Sequence, residues 1–219
     1  MMKIGSLTPA AVLSAVFVAS VGLGSTQTAG LGIFTNEGGI GNLAAGSEAH
    51  YDHATGEYRI TGGGADLWGA NDGLYFVWKQ ASGDMTLSAD VRWIGTGHAH
   101  RMAVLMMRQS LEPGSAYADV DSRGDGHTLI QFRGVANDPT YQITTPVEGP
   151  SRLRLVRKRG VYTMFLGNAN EDMKLAGTLE RVSLKDPIYV GLGVCSHLSN
   201  DVTTAIFSNV SLEMNGAGT

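Results

Sequence analysis

Asp119 and Asp121 are the residues of this chain whose type and spacing most favour catalysis. Residues two apart in a strand project from the same face, so both carboxylates would point one way, and a glycosidase needs two carboxyl groups in one site. The surrounding stretch 117–133, YADVDSRGDGHTLIQFR, also contains the spacing of a calcium loop. In that register, however, Arg123 and Ile130 stand where oxygen ligands are required. We therefore interpret the Arg-Gly-Asp sequence as the tip of a hairpin.

Two further pairs have residue types that can do chemistry. His98 and His100 form an H-x-H pair, which binds metal in a strand because both rings face one side, but no third ligand stands near them in the sequence. Cys195, the only cysteine, lies two residues before His197, without a clear group to orient the histidine as a base. The sequence therefore predicts no catalytic residue, no metal site and no cofactor.

A polar set is predicted by strand parity to share one face of a sheet. Glycines at 191 and 193 alternate with apolar residues, which leaves a bare strip where a ligand would lie. A tryptophan beside such a strip could stack on a sugar ring. The predicted ligand-binding residues are Arg108, Asp119, Gln131, Arg133, His197 and Trp68. The alternative is a buried or rim ion pair, such as Arg108 with Asp119, that only fixes the geometry of the sheet.

The elements that would position these residues are short strands. In residues 85–95, MTLSADVRWIG, apolar and polar residues alternate with a period of two. Residues 152–167 predict a hairpin that turns at Gly160. About eleven such segments, spaced by turn signals and without a helical period after the N-terminus, predict an all-β sandwich of two antiparallel sheets. The N-terminal stretch from Gly32 to Asp52 is expected to cross the sandwich edge before the first regular strand.

Composition limits the classes of partner. The formal net charge of -4 and the pI near 5.8 provide no basic surface for nucleic acid. Residues 1–29 place one lysine before a short apolar run and predict a secretory signal peptide, followed by a single domain over residues 30–219. A single cysteine permits no intrachain disulfide. We therefore expect an exported protein, periplasmic or extracellular, that is held together by packing.

Several segments taken together resemble a known group. They include GIFTNEGGIGN, RQSLEPGSAYADV, GDGHTLIQFR and YVGLGVCSH. Over roughly residues 31–213 the chain resembles the concanavalin A-like (lectin/glucanase-type) β-sandwich domain at the N-terminus of bacterial TolB-like proteins of biopolymer transport. The resemblance implies a two-sheet jelly-roll fold with a saccharide-facing surface.

The leading hypothesis is an exported, non-catalytic module that binds a glycan or cell-envelope polymer on a polar concave face. Other envelope proteins are further expected partners, and no oligomeric state is predicted. The first alternative is a glycoside hydrolase or polysaccharide lyase that uses Asp119 and Asp121, or Tyr117, His197 and Arg108. The second is a structural interaction module of the envelope without a small-molecule ligand.

Overall fold

Fourteen strands build the part of the chain that the computed structural model describes, which is Met1, residues 30–145, 149, 151–168 and 171–215. Apart from Met1, the predicted signal peptide lies outside these residues, so its boundary stays a prediction. The strands are β1 (Asn36–Ile40), β2 (Glu48–Asp52), β3 (Glu57–Gly64), β4 (Leu74–Ala81), β5 (Asp84–Ile94), β6 (Met102–Arg108), β7 (Tyr117–Arg123), β8 (Thr128–Arg133), β9 (Tyr141–Thr144), β10 (Arg152–Lys158), β11 (Val161–Gly167), β12 (Lys174–Leu179), β13 (Ile188–Cys195) and β14 (Leu198–Asn215).

The strands form two seven-stranded sheets in which every pairing is antiparallel. Sheet A has the order β1-β4-β13-β6-β7-β8-β9, and sheet B has the order β12-β11-β10-β5-β14-β3-β2. The predicted all-β sandwich of two antiparallel sheets is therefore confirmed. The predicted hairpin is also present, since Lys158 pairs with Val161 around Arg159 and Gly160, both at positive φ. No helix among the described residues is long and apolar enough to cross a membrane.

The main core lies between the two sheets. Leu87 and Ala89 of β5 and Leu153 and Leu155 of β10 point inward from sheet B, while Val190 of β13 points inward from sheet A, and all five are buried. The intervening residues of the sheet B strands point outward, as the period of two predicts. Burial of one apolar face from each sheet is what holds the sandwich together.

A second hydrophobic cluster covers the outer face of sheet A. Leu74 and Phe76 of β4, Met106 of β6 and Tyr117 of β7 are fully buried on this face, and Leu67 from the loop between β3 and β4 packs over them. Sheet A is therefore buried on both sides across its central strands.

Strands β1 and β2 occupy the stretch that was expected to be irregular, so that expectation was wrong. Both are edge strands, β1 on sheet A and β2 on sheet B. The β1 sequence NEGGI and the β2 sequence EAHYD lack apolar alternation because their residues are mostly exposed or half-exposed. Their strand conformation comes from pairing with β4 and β3 rather than from their own hydrophobic pattern.

Candidate functional site

Four of the predicted ligand-binding residues lie under the cover of sheet A. Arg108, Asp119, Gln131 and Arg133 are 0% exposed. Strand parity placed them correctly on one face, the outer face of sheet A, but this face is not open to solvent. The predicted polar groove is therefore wrong as an accessible surface, because loops and apolar side chains fill the space above these residues.

Asp72 is the ion-pair partner of both buried arginines. Arg133 Nη2 donates to Asp72 Oδ1 at 2.6 Å and its Nη1 donates to Oδ2 at 2.9 Å, while Arg108 Nη2 lies 3.4 Å from Oδ2. The alternative of a buried ion pair at Arg108 is therefore what the structure shows, with Asp72 as the partner instead of the Asp119 given as an example. Asp72 lies in the loop before β4, so its role depends on how that loop folds over sheet A, which no short-range pattern in the sequence reports.

The arginines also bind the backbone of the covering loops. Arg108 donates to the carbonyl oxygens of Ser110 at 2.6 Å and Glu112 at 2.7 Å, and Arg133 donates to that of Gly69 at 2.7 Å. Further acceptors of Arg133 are the carbonyls of Pro113, Ser115 and Asp138 and the hydroxyl of Thr140. The remaining nitrogen of Arg108, Nη1, lies 3.5 Å from the Met106 sulfur. Each guanidinium nitrogen thus has an acceptor, and both arginines fasten loops onto the sheet.

Asp119 and Asp121 are buried beside these arginines. Asp121 accepts hydrogen bonds from Leu129 N at 2.7 Å and Arg123 Nε at 3.1 Å, and burial raises its pKa to about 6. Asp119 accepts one from Gln131 N at 3.1 Å, and burial, with the nearby charge of Asp121, raises its pKa well above the usual range. Neither carboxylate is exposed, so the predicted pair cannot contact a polymer in this structure.

The glycine strip of β13 is likewise covered. A Cβ atom on Gly193 would lie 2.5 Å from Leu74 Cδ1 and 3.0 Å from Val104 Cγ2. Gly193 therefore makes room for the second apolar cluster, whereas a Cβ atom on Gly191 would clash with the Val77 carbonyl oxygen of β4, so neither glycine forms an open strip for a ligand. Trp68, 48% exposed in the loop between β3 and β4, remains available to solvent, and its contact with a ligand stays a prediction.

The outer face of sheet B is open and forms a groove of about 740 Å³ across its four central strands. One cross-strand row consists of Phe165 on β11, Arg154 on β10, Ser88 on β5 and Ser211 on β14. A second row consists of Thr163, Val156, Thr86 and Glu213. The groove therefore combines hydroxyls, a guanidinium and a half-buried aromatic ring.

The charge of the groove is predominantly positive. Arg152 is paired with Asp90 through a 2.7 Å hydrogen bond, and this pairing lowers the pKa of the Asp90 carboxyl. Arg154 donates to the Ser88 hydroxyl at 3.1 Å. Within the described ranges, no carboxylate lies within 4.0 Å of Arg154 or Lys158 in an ion pair. These two cations are available to an anionic ligand.

The sequence contains a pattern that indicates the basic residues of this groove. Residues 152–158, RLRLVRK, alternate apolar and mostly basic residues, so parity alone places Arg152, Arg154 and Lys158 on the outward face. We interpreted the segment only as one arm of a hairpin. Strand parity could not show that the outer face of sheet B is open to solvent while the outer face of sheet A is covered.

His197 lies apart from the buried polar set. It follows β13, which ends at Cys195, and lies in a turn with φ of 60°. Burial lowers the pKa of His197, and Asp66 opposes this effect. Cys195 is buried and its pKa is raised by burial to about 12, which keeps the thiol protonated.

No protein-family model and no curated protein matches this chain. Solved structures share its fold. A functionally unknown protein from Saccharomyces cerevisiae is 17% identical, with 80% of this chain and 95% of that chain covered and a TM-score of 0.61. The carbohydrate binding module CBM66 from Bacillus subtilis is 15% identical, with 83% and 97% covered and a TM-score of 0.52.

A GH43 protein from Bacillus licheniformis is 12% identical, with 76% of this chain and 36% of that chain covered and a TM-score of 0.55. The chain thus spans about a third of that protein's length. At these identities the similarity shows the fold, a β-sandwich of two antiparallel sheets, and no more. The resemblance to TolB-like proteins stays a prediction.

Proposed function

We propose that this protein is a non-catalytic module that binds an acidic glycan in the groove of sheet B. The observation that carries the proposal is the open groove itself, in which Arg154 and Lys158 project without carboxylate partners. A guanidinium forms bidentate, charge-assisted hydrogen bonds with carboxylates, so a uronate or a similar anionic sugar fits this surface better than a neutral one.

The other groups in the groove match what a sugar chain offers. Ser88, Ser211 and Thr86 provide hydroxyls that can donate to or accept from sugar hydroxyls. Phe165 is half-buried and directly opposite Arg154, where its ring can pack on the apolar face of a pyranose. The rows cross four strands, so the surface suits an extended polymer rather than a small enclosed ligand.

The similarity of the fold to that of a carbohydrate binding module supports a carbohydrate as the ligand class. CBM66 is a carbohydrate binding module, and this chain covers nearly all of it. The geometry does not favour the hydrolase alternative at Asp119 and Asp121, because both carboxylates are buried beneath the loops of sheet A. We therefore propose a binding module rather than a hydrolase.

We further propose that the protein acts in the cell envelope, with other envelope proteins as additional partners. The support is the signal-peptide pattern of residues 1–29 and the resemblance to the TolB-like domains. Cell fractionation with an antibody against the native protein tests this location. Recovery in the cytosolic fraction alone would contradict it without affecting the glycan proposal.

A glycan array that contains matched neutral and uronate-bearing oligosaccharides tests the ligand class. We expect binding to the acidic members, and weaker binding as salt is raised, because salt screens exposed charges. Each hit is then incubated with the protein and assayed for new reducing ends or unsaturated uronates. Binding restricted to neutral glycans would overturn the proposed ligand class, and turnover would overturn the non-catalytic role.

A further inference from the structure

Three histidines from two distant segments meet at one end of the sandwich. His98 and His100 lie in the loop between β5 and β6, and His197 lies in the turn between β13 and β14. One nitrogen from each ring lies within 4.8 Å of the other two. The rings of His98 and His197 are 4.6 Å apart, and those of His100 and His197 are 5.3 Å apart. The H-x-H pair therefore has the third partner that the local sequence does not contain.

The loop that carries His98 and His100 is fixed by Arg101. This guanidinium stacks over Trp93 at 4.4 Å and donates to Gly95 O and Thr203 Oγ1, both at 3.2 Å. Arg101 is only 6% exposed. A buried cation at the end of the loop holds its backbone in one position, so the two imidazoles are presented by a rigid support.

The hairpin tip of residues 123–126 supports the same loop from the other side. Gly124 N donates to Arg101 O at 3.1 Å, and Asp125 N donates to Ala99 O at 2.8 Å. The Asp125 carboxylate faces His100, with Oδ2 at 3.9 Å from Nε2. The Arg-Gly-Asp sequence is thus part of the scaffold around the histidines.

A second carboxylate faces His197. Asp66 Oδ1 lies 3.6 Å from His197 Nδ1, a nitrogen that is buried and has no hydrogen-bond partner among the described residues. Metal-binding histidines commonly direct one ring nitrogen at a carboxylate and the other at the metal. The carboxylates of Asp125 and Asp66 thus stand next to one ring nitrogen of His100 and of His197, and the other nitrogen of each ring, Nδ1 of His100 and Nε2 of His197, is the one that would bind the metal.

We propose that His98, His100 and His197 bind one divalent transition-metal ion, Zn²⁺ in the first place, with a fourth coordination position open to solvent. Three neutral imidazoles suit Zn²⁺, Cu²⁺ or Ni²⁺ and do not suit Mg²⁺ or Ca²⁺, which require oxygen ligands. Three protein ligands with one open position is also the arrangement in which zinc accepts water or a ligand atom.

Binding of the metal requires the three ring nitrogens to move closer together. Zn–N bonds of about 2.0–2.1 Å in a tetrahedral site bring the nitrogens to roughly 3.4 Å apart. His100 is half-exposed and can rotate inward. His98 Nδ1 accepts a hydrogen bond from His100 N at 3.1 Å, so His98 must give up this bond to coordinate through either nitrogen as a neutral imidazole.

The test is a zinc titration of protein prepared without a polyhistidine tag and treated with chelator. Calorimetry with ZnCl₂ is expected to show one equivalent bound, and CoCl₂ is expected to produce the visible absorption of four-coordinate cobalt. His100→Ala is expected to weaken zinc binding at least 10-fold. His100 is exposed, so this variant should fold, and an unchanged circular dichroism spectrum checks that it does.

The matched control is His53→Ala, another exposed histidine, in the turn after β2, which is expected to bind zinc as the wild type does. A second variant, His197→Gln, is expected to abolish the cobalt absorption. No bound equivalent in the wild type, or equal affinity in wild type and His100→Ala, would overturn the site. Loss of binding in His53→Ala would also overturn it, because the metal would then lie elsewhere.

Discussion

The outer faces of the two sheets carry similar residues in opposite environments. On sheet A, Arg108 and Arg133 are fully buried, and their donors are used by Asp72 and by backbone carbonyls. On sheet B, Arg154 and Lys158 lie along an open groove. The first pair of cations fastens loops to the sheet, and the second pair is available to a ligand. The role of a basic residue on an outward face therefore depends on whether other parts of the chain cover that face.

The same contrast holds for carboxylates. Burial raises the pKa values of Asp119 and Asp121 on sheet A, whereas the Arg152 hydrogen bond lowers the pKa of Asp90 on sheet B. The outer face of sheet A thus disfavours the charged forms of Asp119 and Asp121, whereas the outer face of sheet B favours the charged form of Asp90. Perturbed carboxylates often mark functional sites, but here the most perturbed pair lies where no polymer can reach.

The largest predicted effect is the loss of Asp72. Asp72→Ala leaves two buried guanidinium groups without their carboxylate, and breaking a buried ion pair by removing one partner costs about 3–5 kcal/mol. We expect the free energy of unfolding in urea to fall by that amount. Glu57→Ala is the matched control, because it breaks the exposed pair with Arg92, which is worth at most about 1 kcal/mol. Equal losses in the two variants would contradict the assigned role of Asp72.

The sequence alone predicted much of this comparison. There is a physical reason why it could not predict the rest. The period of two predicted β5, the hairpin of β10 and β11, and the shared face of Arg108, Asp119, Gln131 and Arg133. Parity depends only on neighbours along the strand. Whether a face is covered depends on loops such as residues 65–73, whose path is set by long-range contacts.

For the same reason, the sequence could not identify His197 as the third histidine of the cluster. His197 is 97 positions after His100, and it reaches the pair because β13 lies beside β6 in sheet A and ends next to the loop between β5 and β6. The edge strands β1 and β2 were missed because polar residues at a sheet edge do not need apolar alternation.

The second predicted effect is a dependence of stability on pH that comes from sheet A. Burial raises the pKa of Asp121 from its usual 3.8 to about 6 in the folded state, so between these values the folded state holds a proton that the unfolded state has lost. Raising the pH through this window therefore favours unfolding, by up to about 3 kcal/mol for a shift of roughly two units.

Asp119→Asn tests whether the buried carboxyl groups of sheet A cause this pH dependence, because burial and the charge of Asp121 raise the pKa of Asp119 in the same direction. The introduced amide oxygen can still accept the Gln131 N–H bond, and the amide nitrogen can donate towards the Gln131 side chain, which has no partner among the described residues. We expect urea unfolding from pH 4 to pH 7 to show a smaller decline in the variant and greater stability at pH 7. If the variant is less stable than the wild type at pH 7 and its free energy of unfolding depends on pH in the same way, Asp119 is stabilised as a charged group.

The third effect is on ligand binding at sheet B. Arg154→Ala is expected to weaken binding of an acidic oligosaccharide about 10- to 100-fold, because hydrogen bonds to charged groups contribute about 1.5–3 kcal/mol. Trp68→Ala is the control on the cover of sheet A, and calorimetry with an array hit measures both. If Trp68→Ala causes the loss and Arg154→Ala does not, the ligand lies on the covered side, as the sequence predicted for Trp68.

The last comparison sets one small substitution on the outer face of sheet A against one on the outer face of sheet B. Gly193→Ala places Cβ 2.5 Å from Leu74 Cδ1, so the second apolar cluster must shift, and overpacking of this kind costs about 1–3 kcal/mol. Ser211→Ala removes a hydroxyl from the open groove of sheet B, where surface substitutions stay within about 0.5 kcal/mol. Urea unfolding measures both variants. If Gly193→Ala proves as neutral as Ser211→Ala, the outer face of sheet A is loosely packed and can open, and the glycine strip becomes a ligand surface again.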